Sequence, residues 1–313
     1  MDLTEGAETA VHQCMDVQDD EEVLIVADDA KMRIARALQE VGREAAAETM
    51  LMNTEPTDTS GSEPPAAVAA AMKEADVIFA PTTHSLSHTR ARIAACEAGA
   101  RAATMPGVTE EIFTTSMLAD YEAIKRRSRR LYERVEETDE IHVTSPGGTD
   151  LRLDVNMKVW EQDTGIVHKP GGFTNLPAGE VFGVPLAAEG QIVFDSFVLG
   201  GEEKAPEGTA VEVTNSVATG ISEECELSRA FKEVENATNL AELGIGTNAE
   251  AEVIGNALQD EKAMGTCHFA FGDNTAFGGH TGSEIHWDGI VKDPTIRFDE
   301  EVIMEKGEFT IDL

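Results

Sequence analysis

Strand-like and helix-like segments alternate along the first part of the chain, and this alternation constrains the fold more than any other feature. Three short, mainly apolar segments have the pattern of buried strands: EEVLIVADD (21–29), DVIFAP (76–81) and ARAATM (100–105). Helix-like patterns lie between and after them. Because parallel strands are joined by long crossovers that are usually helical, this order predicts an α/β fold with a parallel sheet covered by helices.

The helix-like segments have definite limits in the sequence. The first runs from about Ala30 to Thr49, the second covers AAVAAAMKEA (66–75), and the third covers SHTRARIAACEAG (87–99). A long charged helix is predicted over residues 119–137, and we place a domain boundary near its end. The predicted division is an α/β domain over 1–140 and a second domain over 141–313.

Beyond residue 140 the pattern changes to short, β-rich segments. IHVTS and TDLRLDV, joined by a Pro-Gly-Gly turn, form a predicted hairpin. QIVFDSFVL (191–199) and TAVEVTN (209–215) are further strand-like segments, and SEECELSRAFKEVENA (222–237) is a predicted helix. The second domain is therefore predicted to be α+β with mostly antiparallel strands.

The charge balance is strongly acidic. There are 59 Asp and Glu residues against 24 Lys and Arg, a formal net charge of −35, and the acids are spread along the whole chain. Such a composition is typical of proteins from a salt-saturated cytoplasm, where salt screens the repulsion between acids. An ordinary acidic protein is the alternative. In both cases the surface repels nucleic acid, so we expect no nucleic-acid partner.

Membrane and secretory signals are not found in the sequence. No segment is long and apolar enough to span a bilayer, and the N-terminus lacks the positive start and apolar run of a signal peptide. We therefore expect a cytoplasmic protein without membrane contact. The four cysteines are far apart and form no CxxC pair, which argues against a disulfide framework or a zinc–thiolate site.

Two residues of metal-ligand type, His286 and Asp288, are separated by one residue in SEIHWDGIV. If this segment is a strand, both side chains point to one face and supply half of a metal site, while Ile285 and Trp287 pack on the other face. On its own such a pair is a weak signal.

Three further residues strengthen the case for a metal site. His268 lies in GTCHFAFG, Glu180 in NLPAGEVF and Glu242 in AELGIGTN, each near glycines that mark either turns or a close approach of the backbone to a ligand. The five residues together are three carboxylates and two imidazoles, a set that suits Zn²⁺, Mn²⁺, Co²⁺ or Fe²⁺. Five ligands fit a pair of metal ions about 3.5–4 Å apart, as in two-metal hydrolases.

These segments resemble the M29 family of metallo-aminopeptidases, the aminopeptidase T type, in a haloarchaeal-like acidic version. The resemblance runs in order through NLPAGEVF, AELGIGTN, DEKAMGTCHFAFG and SEIHWD, and THSLSHTRARIAACEAGARAATMPGVTEE is also similar. It implies an α/β first domain, a metal-binding second domain and a homodimer. It also implies metal-ligand roles for Glu180, Glu242, His268, His286 and Asp288.

Two positions depart from the family pattern. The acid that the family places shortly before its first metal-binding histidine is represented here by Glu261, about two residues further upstream. The tyrosine that the family places seven residues after that histidine is Thr275 here. An iron-dependent, ring-cleaving pyridine dioxygenase is similar in fold to this family, so the scaffold alone does not fix the reaction.

The leading hypothesis from the sequence is a metallo-aminopeptidase that removes N-terminal residues from peptides. Two divalent ions, of zinc, cobalt or manganese, would activate a bridging water and polarise the scissile carbonyl. Glu242 or Glu261 would shuttle the proton with a raised pKa. Free carboxylates would hold the ammonium group of the peptide substrate, and we assign His280 and Asn175 to substrate contact.

Two other functions stay open at this point. One is a mononuclear iron oxygenase that uses His268, His286 and one carboxylate, close to a two-histidine-one-carboxylate triad. The other is a non-catalytic, metal-stabilised binding protein, which the missing tyrosine keeps open. His84 and His88 would form a second metal site if a helix aligned them, although a loop before a capped helix start is the simpler expectation.

Overall fold

The computed structural model describes residues 2–156, 159–198 and 205–313. The chain forms two compact units. Unit 1 comprises Met1–Lys125 and Asp163–Ala178, and unit 2 comprises Arg126–Gln162 and Gly179–Leu313. The division into domains over 1–140 and 141–313 stays a prediction, and compactness alone assigns residues 163–178 to unit 1.

Helices and strands alternate in unit 1, whereas unit 2 consists mostly of strands. The α-helices are, in chain order, α1 (Thr4–Glu8), α2 (Met32–Ala45), α3 (Ala66–Glu74), α4 (Arg90–Ala98), α5 (Glu110–Phe113), α6 (Tyr121–Val135), α7 (Glu226–Glu233) and α8 (Ala257–Asp260). The strands are β1 (Glu22–Asp28), β2 (Glu48–Thr54), β3 (Val77–Thr82), β4 (Arg101–Pro106), β5 (Glu140–Thr144), β6 (Asp150–Asp154), β7 (Trp160–Asp163), β8 (Phe173–Asn175), β9 (Glu180–Gly183), β10 (Ala187–Phe194), β11 (Ser196–Val198), β12 (Thr209–Thr214), β13 (Val217–Ile221), β14 (Leu240–Gly246), β15 (Thr266–Gly272), β16 (His286–Lys292), β17 (Thr295–Phe298), β18 (Glu301–Glu305) and β19 (Glu308–Phe309).

Unit 1 contains a five-stranded parallel sheet in the order β2-β1-β3-β4-β8. All of β3, and all of β1 except its first residue, is buried, as expected for parallel strands that are covered on both faces. The predicted parallel sheet is thus confirmed, and the three predicted strands correspond to β1, β3 and β4.

Strand β2 is an element that the sequence analysis missed, because it extended the first helix to Thr49. Helix α2 ends at Ala45, and the chain then pairs with β1 from Glu48 to Thr54. β2 lies at the edge of the sheet, and of its residues only Thr49 is buried. An edge strand does not need the long apolar run of a buried strand. The three apolar residues Met-Leu-Met at the centre of β2 are too few to distinguish a strand from a helix by their pattern.

Unit 2 contains two antiparallel sheets. The eight-stranded sheet has the order β13-β12-β10-β6-β5-β17-β18-β19, and the six-stranded sheet has the order β11-β16-β15-β14-β9-β7. The predicted hairpin is the antiparallel pair β5–β6. The predicted strand over residues 191–199 divides instead into β10 and β11, which belong to different sheets, and Leu199 lies outside the described residues. The antiparallel character predicted for this part of the chain is confirmed.

The helices are short. Helix α6 has 15 residues and lies within the predicted 119–137, and α7 lies within the predicted 222–237.

Among the described residues, no helix has both the length and the apolar character needed to cross a membrane. The buried free thiols are those of Cys14, Cys96, Cys225 and Cys267.

Candidate metal centre

One face of the six-stranded sheet in unit 2 carries four of the predicted ligands. Glu242 on β14, Ala270 on β15 and Asp288 on β16 are direct neighbours across the three strands. Because side chains alternate along a strand, His268 lies on the same face two residues from Ala270, and His286 lies there two residues from Asp288. The prediction that His286 and Asp288 share one face of a strand is confirmed.

Glu180, the fifth predicted ligand, begins β9 and pairs with Gly246 on β14. The opposite face of β15 is apolar, since Cys267, Phe269 and Phe271 belong to the main hydrophobic core of unit 2. Cys267 therefore has a packing role. Burial of this apolar face fixes which side of β15 presents His268 to the carboxylates.

A glycine makes room for the imidazole ring of His268. Gly244 pairs with His268 across β14 and β15. A Cβ atom at Gly244 would lie 2.1 Å from both Cε1 and Nε2 of that ring. This close approach is a physical reason for the first glycine of LGIG, for which the sequence left a turn and a close approach to a ligand both open.

Glu242 lies between the two histidines. Its Oε1 is 3.2 Å from Nε2 of His268, and its Oε2 is 3.3 Å from Nε2 of His286. Glu180 Oε2 lies 3.5 Å from the same nitrogen of His268, and Asp288 Oδ1 lies 3.7 Å from Nε2 of His286. Two groups with metal-ligand spacing therefore share Glu242, namely Glu180–Glu242–His268 and Glu242–His286–Asp288.

The backbone orients one histidine but not the other. The Nδ1–H of His286 donates to the carbonyl oxygen of Asp273 over 2.7 Å, a hydrogen bond that fixes the tautomer and leaves Nε2 for the carboxylate side. Nδ1 of His268 is buried and finds no hydrogen-bond partner among the described residues. The ring of His268 is therefore held by packing over Gly244 and by its Nε2 contacts.

A lysine that the sequence analysis did not single out lies beside the cluster. Lys262 is 1% exposed, its Nζ donates to Oε1 of Glu180, and the same Nζ lies 2.7 Å from Oε1 of Glu261. Glu261, a predicted proton shuttle, is thus an ion-pair partner of Lys262. The sequence signal for Lys262 was only its place in DEKAMG, and full burial of a lysine is too rare to expect from position alone.

Burial and neighbouring charges set the protonation of the three carboxylates. Burial raises the pKa of Glu180 to about 8 against the attraction of Lys262. Burial also raises the pKa of Asp288 to about 6 against the attraction of His286. For Glu242 burial acts in the same direction, but the hydrogen bonds and charges of both histidines outweigh it and lower the pKa well below its usual value. The raised pKa that we expected for Glu242 as a proton shuttle is therefore wrong in direction.

The same charges raise the pKa values of the two histidines. Burial lowers the pKa of a histidine, but the hydrogen bond to Glu242 and the charge of Glu180 outweigh it and raise the pKa of His268 to about 9. The charge of Asp288 and the hydrogen bond to Glu242 raise the pKa of His286 to about 10 against the same burial. The cluster is thus an arrangement of carboxylates that strongly favours positive charge at its centre.

The donor set fits a divalent metal ion. Metal–nitrogen and metal–oxygen bonds of about 2.0–2.2 Å place adjacent ligand atoms roughly 3.0–3.5 Å apart, close to the 3.2–3.7 Å separations of the histidine nitrogens from the carboxylate oxygens. Oε2 of Glu180 is buried without a hydrogen-bond partner among the described residues. Such an atom is costly to bury unless a cation or donor compensates it.

The two predicted substrate contacts lie outside this cluster. His280 is exposed in the segment between β15 and β16. Asn175 belongs to unit 1, where its Oδ1 accepts hydrogen bonds from Thr104 Oγ1 at 2.6 Å and Ser87 Oγ at 3.0 Å. Their assignment to substrate contact stays a prediction.

The other histidine pair does not have the geometry that a second metal site would need. His84 and His88 lie in the loop before α4, which begins at Arg90 after Thr89, whose hydroxyl accepts from the backbone N–H of Arg92. No helix aligns the two rings, and the simpler expectation of a loop before a capped helix is confirmed. The structure brings neither ring into a group with metal-ligand spacing among its described residues.

An aromatic pair beside His286 was missed by the sequence analysis. The ring of Phe277 meets the ring of His286 edge-on, with centroids 5.4 Å apart, and meets Phe182 in the same way at 5.7 Å. Phe277 lies in the short turn Thr275–Phe277 and Phe182 on β9. Both rings are partly exposed. Single phenylalanines such as these carry no sequence signal for such a contact, which depends on the tertiary fold.

The fold has known counterparts. The chain is similar to the structure of the 2,5-dihydroxypyridine dioxygenase from Pseudomonas putida KT2440, with a TM-score of 0.82 and 19% identity over 99% of this chain and 97% of that chain. It is also similar to AmpT from Thermus thermophilus, with a TM-score of 0.72 and 19% identity over 99% of both chains. At this identity the two likenesses show the fold alone. The second confirms the M29 resemblance at the level of fold.

The family is shown by sequence. No curated protein sequence matches the chain. A family model described as 2,5-dihydroxypyridine 5,6-dioxygenase (NicX) matches residues 2–311, almost the whole length. This match gives the family, and the fold shared with AmpT agrees with the resemblance of the ligand motifs to the M29 aminopeptidases. The chain belongs to the 2,5-dihydroxypyridine 5,6-dioxygenase family.

Proposed function

We propose that this protein is an iron-dependent, ring-cleaving dioxygenase that acts on a dihydroxylated pyridine. The observation that carries the proposal is the placement of His286 and Asp288 on one sheet face, with Glu242 and His268 beside them and the ring of Phe277 in T-shaped contact with His286. Two histidines with a carboxylate are the ligand set of non-haem iron oxygenases. The family match agrees with this reaction class.

The proposed reaction is balanced without a further reductant. The C5–C6 bond of a 2,5-dihydroxypyridine breaks, both atoms of O₂ enter the ring-opened product, and the substrate itself supplies the electrons that reduce O₂. Iron(II), when bound, would supply the activation of O₂. His286, Asp288, Glu242 and His268 would hold the ion.

The chain's own residues would orient and select the substrate. The hydrogen bond from His286 Nδ1 to the Asp273 carbonyl holds the ring of His286 in one orientation. Phe277 and Phe182 form a partly exposed aromatic wall next to that ring. Such a wall favours a flat aromatic substrate, because offset or edge-to-face ring contacts add to the burial of apolar area.

Oxygen consumption tests the proposal. The protein is reconstituted anaerobically with Fe²⁺ at high salt and mixed with 2,5-dihydroxypyridine, and O₂ uptake is followed with the incorporation of ¹⁸O₂ into product. We expect uptake that matches substrate loss, with both labelled atoms in the product. His286→Ala and Asp288→Ala should lose the metal and the activity while keeping most of the fold. His142→Ala is the matched control, because His142 pairs with Asp150 away from the cluster.

A metallo-aminopeptidase is the second candidate, and one observation favours it. Glu242 presents one oxygen to each histidine and is shared by two ligand groups, as expected of a carboxylate that bridges two metal ions. Neither Thr275 nor Tyr121 supplies the phenol of the aminopeptidase pattern, because the Thr275 hydroxyl donates to Asp273 and the Tyr121 hydroxyl is buried against Met117.

A peptide panel separates the two functions. Free and N-acetylated di- to tetrapeptides are incubated with Zn²⁺-, Co²⁺- or Mn²⁺-loaded protein at high salt. Release of N-terminal residues from the free peptides only, without O₂ uptake in the first assay, would establish the aminopeptidase. If the protein binds metal but shows neither O₂ uptake nor peptide cleavage, a metal-stabilised binding protein is the function that is left. In each case the homodimer stays a prediction.

A further inference from the structure

Lys262 is a buried cation placed next to the ligand cluster. Its side chain is 1% exposed, and its Nζ contacts the carboxylates of Glu180 and Glu261 together. A buried ammonium group is stable only when it is paired and hydrogen-bonded. The two glutamates satisfy this requirement, so the position of Nζ is determined by the fold.

The backbone brings Lys262 to this place through a second close approach at a glycine. Gly246 pairs with Glu180 across β14 and β9. A Cβ atom at Gly246 would lie 2.1 Å from the carbonyl oxygen of Ala263. The carbonyl of Lys262 also accepts a hydrogen bond from the backbone N–H of Asn248 at 3.0 Å. The segment that carries Lys262 therefore crosses directly over β14, beside the Glu180 end of the cluster.

This cation occupies the end of the cluster where a second metal ion would bind. Of the two groups that share Glu242, one consists of Glu180, Glu242 and His268. Oε1 of Glu180 is already bound by the Lys262 ammonium group, so only Oε2 is left for a metal ion. A divalent ion on Oε2 would lie close to the ammonium group, and the two positive charges repel each other strongly in a buried site.

We propose that Lys262 is a positioning residue whose ammonium group supplies the cation at the Glu180 end of the cluster and thereby limits the site to one metal ion, which His286, Asp288, Glu242 and His268 would hold. The other group, Glu242–His286–Asp288, has no such competitor among the contacts of the described residues. Replacing Lys262 with a neutral residue should convert a site for one ion into a site for two. The inference builds on the single ion of the proposed function, but the ions are counted without turnover.

Metal counting tests this inference. Wild type and Lys262→Met are stripped with chelator, titrated anaerobically with Mn²⁺ alone at high salt, desalted and analysed for metal per chain. We expect one ion in the wild type and two in Lys262→Met. Electron paramagnetic resonance should show the spectrum of isolated Mn²⁺ in the wild type and of exchange-coupled Mn²⁺ in the variant. Lys232→Met is the matched control, because Lys232 is exposed and pairs with Glu224 on the surface.

The number of metal ions bound per chain decides whether the inference holds. Two ions in the wild type, or one ion in folded Lys262→Met, would overturn the inference. If Lys262→Met does not fold, Glu180→Gln decides: it should keep one ion with at most a few-fold weaker affinity, and loss of that ion would contradict the placement. A shift from one ion to two in a protein that consumes no O₂ would support the role of Lys262 and reject only the proposed reaction.

Discussion

The imidazole ring of His268 lies over the Cα atom of Gly244, and the two residues face each other across neighbouring antiparallel strands. The space above the glycine is filled by the ring, since a Cβ atom there would lie 2.1 Å from its Cε1 and Nε2. The ring has no hydrogen bond at Nδ1 from any described residue to hold it in another way. Its position next to Glu242 therefore depends on the absence of a side chain at residue 244.

Gly244→Ala should displace His268 and weaken metal binding. We expect affinity for Co²⁺ or Mn²⁺ to fall by about 10–100-fold, the loss typical of disturbed support around a metal ligand, with a loss of roughly 1–3 kcal/mol in the free energy of unfolding from overpacking. Competition titration and thermal unfolding measure the two effects. Gly220→Ala on β13 is the control, because a Cβ there would meet only the flexible side chain of Glu212. Unchanged metal affinity in Gly244→Ala would contradict the account.

Phe277→Leu should weaken substrate binding and leave metal binding intact. The substitution keeps an apolar side chain but removes the ring that meets His286 and Phe182 edge-on. Aromatic contacts of this type contribute about 0.5–1.5 kcal/mol beyond area burial, so KM for 2,5-dihydroxypyridine should rise by roughly 2–10-fold. Steady-state O₂ uptake and metal analysis provide the measurements, with Phe309→Leu on β19 as the control. A fall in kcat or metal content at constant KM would assign Phe277 to support of His286 instead.

The fold was predictable where its signals are local. Buried parallel strands such as β1 and β3 show continuous apolar runs, and the glycine turn between β5 and β6 gives the hairpin directly. Strand β2 was missed because an edge strand carries no such run. Strand β8 was also missed, since its three residues join the parallel sheet from a distant part of the sequence.

The candidate site was predictable in its ligands but not in its surroundings. Alternation along β16 places His286 and Asp288 on one face, and the glycine-rich segments located Glu180, Glu242 and His268. The contact of Lys262 with Glu180 joins residues 82 positions apart and depends on the chain crossing over Gly246. The direction of the pKa shift at Glu242 could not be predicted either, because it requires both histidines to face the same carboxylate.

A partly buried ion pair in unit 1 gives a pH-dependent contribution to stability. Arg101 Nη1 and Nη2 donate to the two oxygens of Glu21 at 2.7 and 2.8 Å. Burial opposes ionisation of Glu21, but the hydrogen bonds from Arg101 and from the backbone N–H of Gln18 outweigh it and lower its pKa. Because the pKa is lower in the folded state, the contribution is present above the unfolded-state value of about 4.3 and is lost as pH falls through the folded-state value.

Glu21→Gln should therefore destabilise the protein at neutral pH and not in acid. We expect a loss of about 1–2 kcal/mol at pH 7, a value reduced for the partial exposure of Glu21. Urea unfolding of both proteins from pH 7 down to pH 3 measures the difference. Glu22→Gln is the control, because Glu22 is exposed at the start of β1. A difference that grows in acid would show that another interaction of Glu21 dominates.

The net charge of −35 predicts that stability rises with salt. Exposed ion pairs such as Arg134–Glu301 and Arg152–Glu140 are weakened by salt, but each is worth little. Repulsion among the remaining acids acts over the whole surface, and it is screened as the Debye length shortens from about 10 Å at 0.1 M to about 3 Å at 1 M. The melting temperature should therefore increase from dilute to molar KCl.

A charge-reduced variant separates screening from general effects of salt on burial. Glu40, Glu44 and Glu97 are exposed in or at the ends of α2 and α4, and their joint replacement by Gln removes three negative charges without touching the core. Screening predicts that this variant melts higher than the wild type in dilute buffer and that the two converge in molar KCl, because the removed repulsion is then already screened. A constant difference at every KCl concentration, or a wild-type melting temperature that does not change with KCl, would show that the acidic surface is not an adaptation to salt.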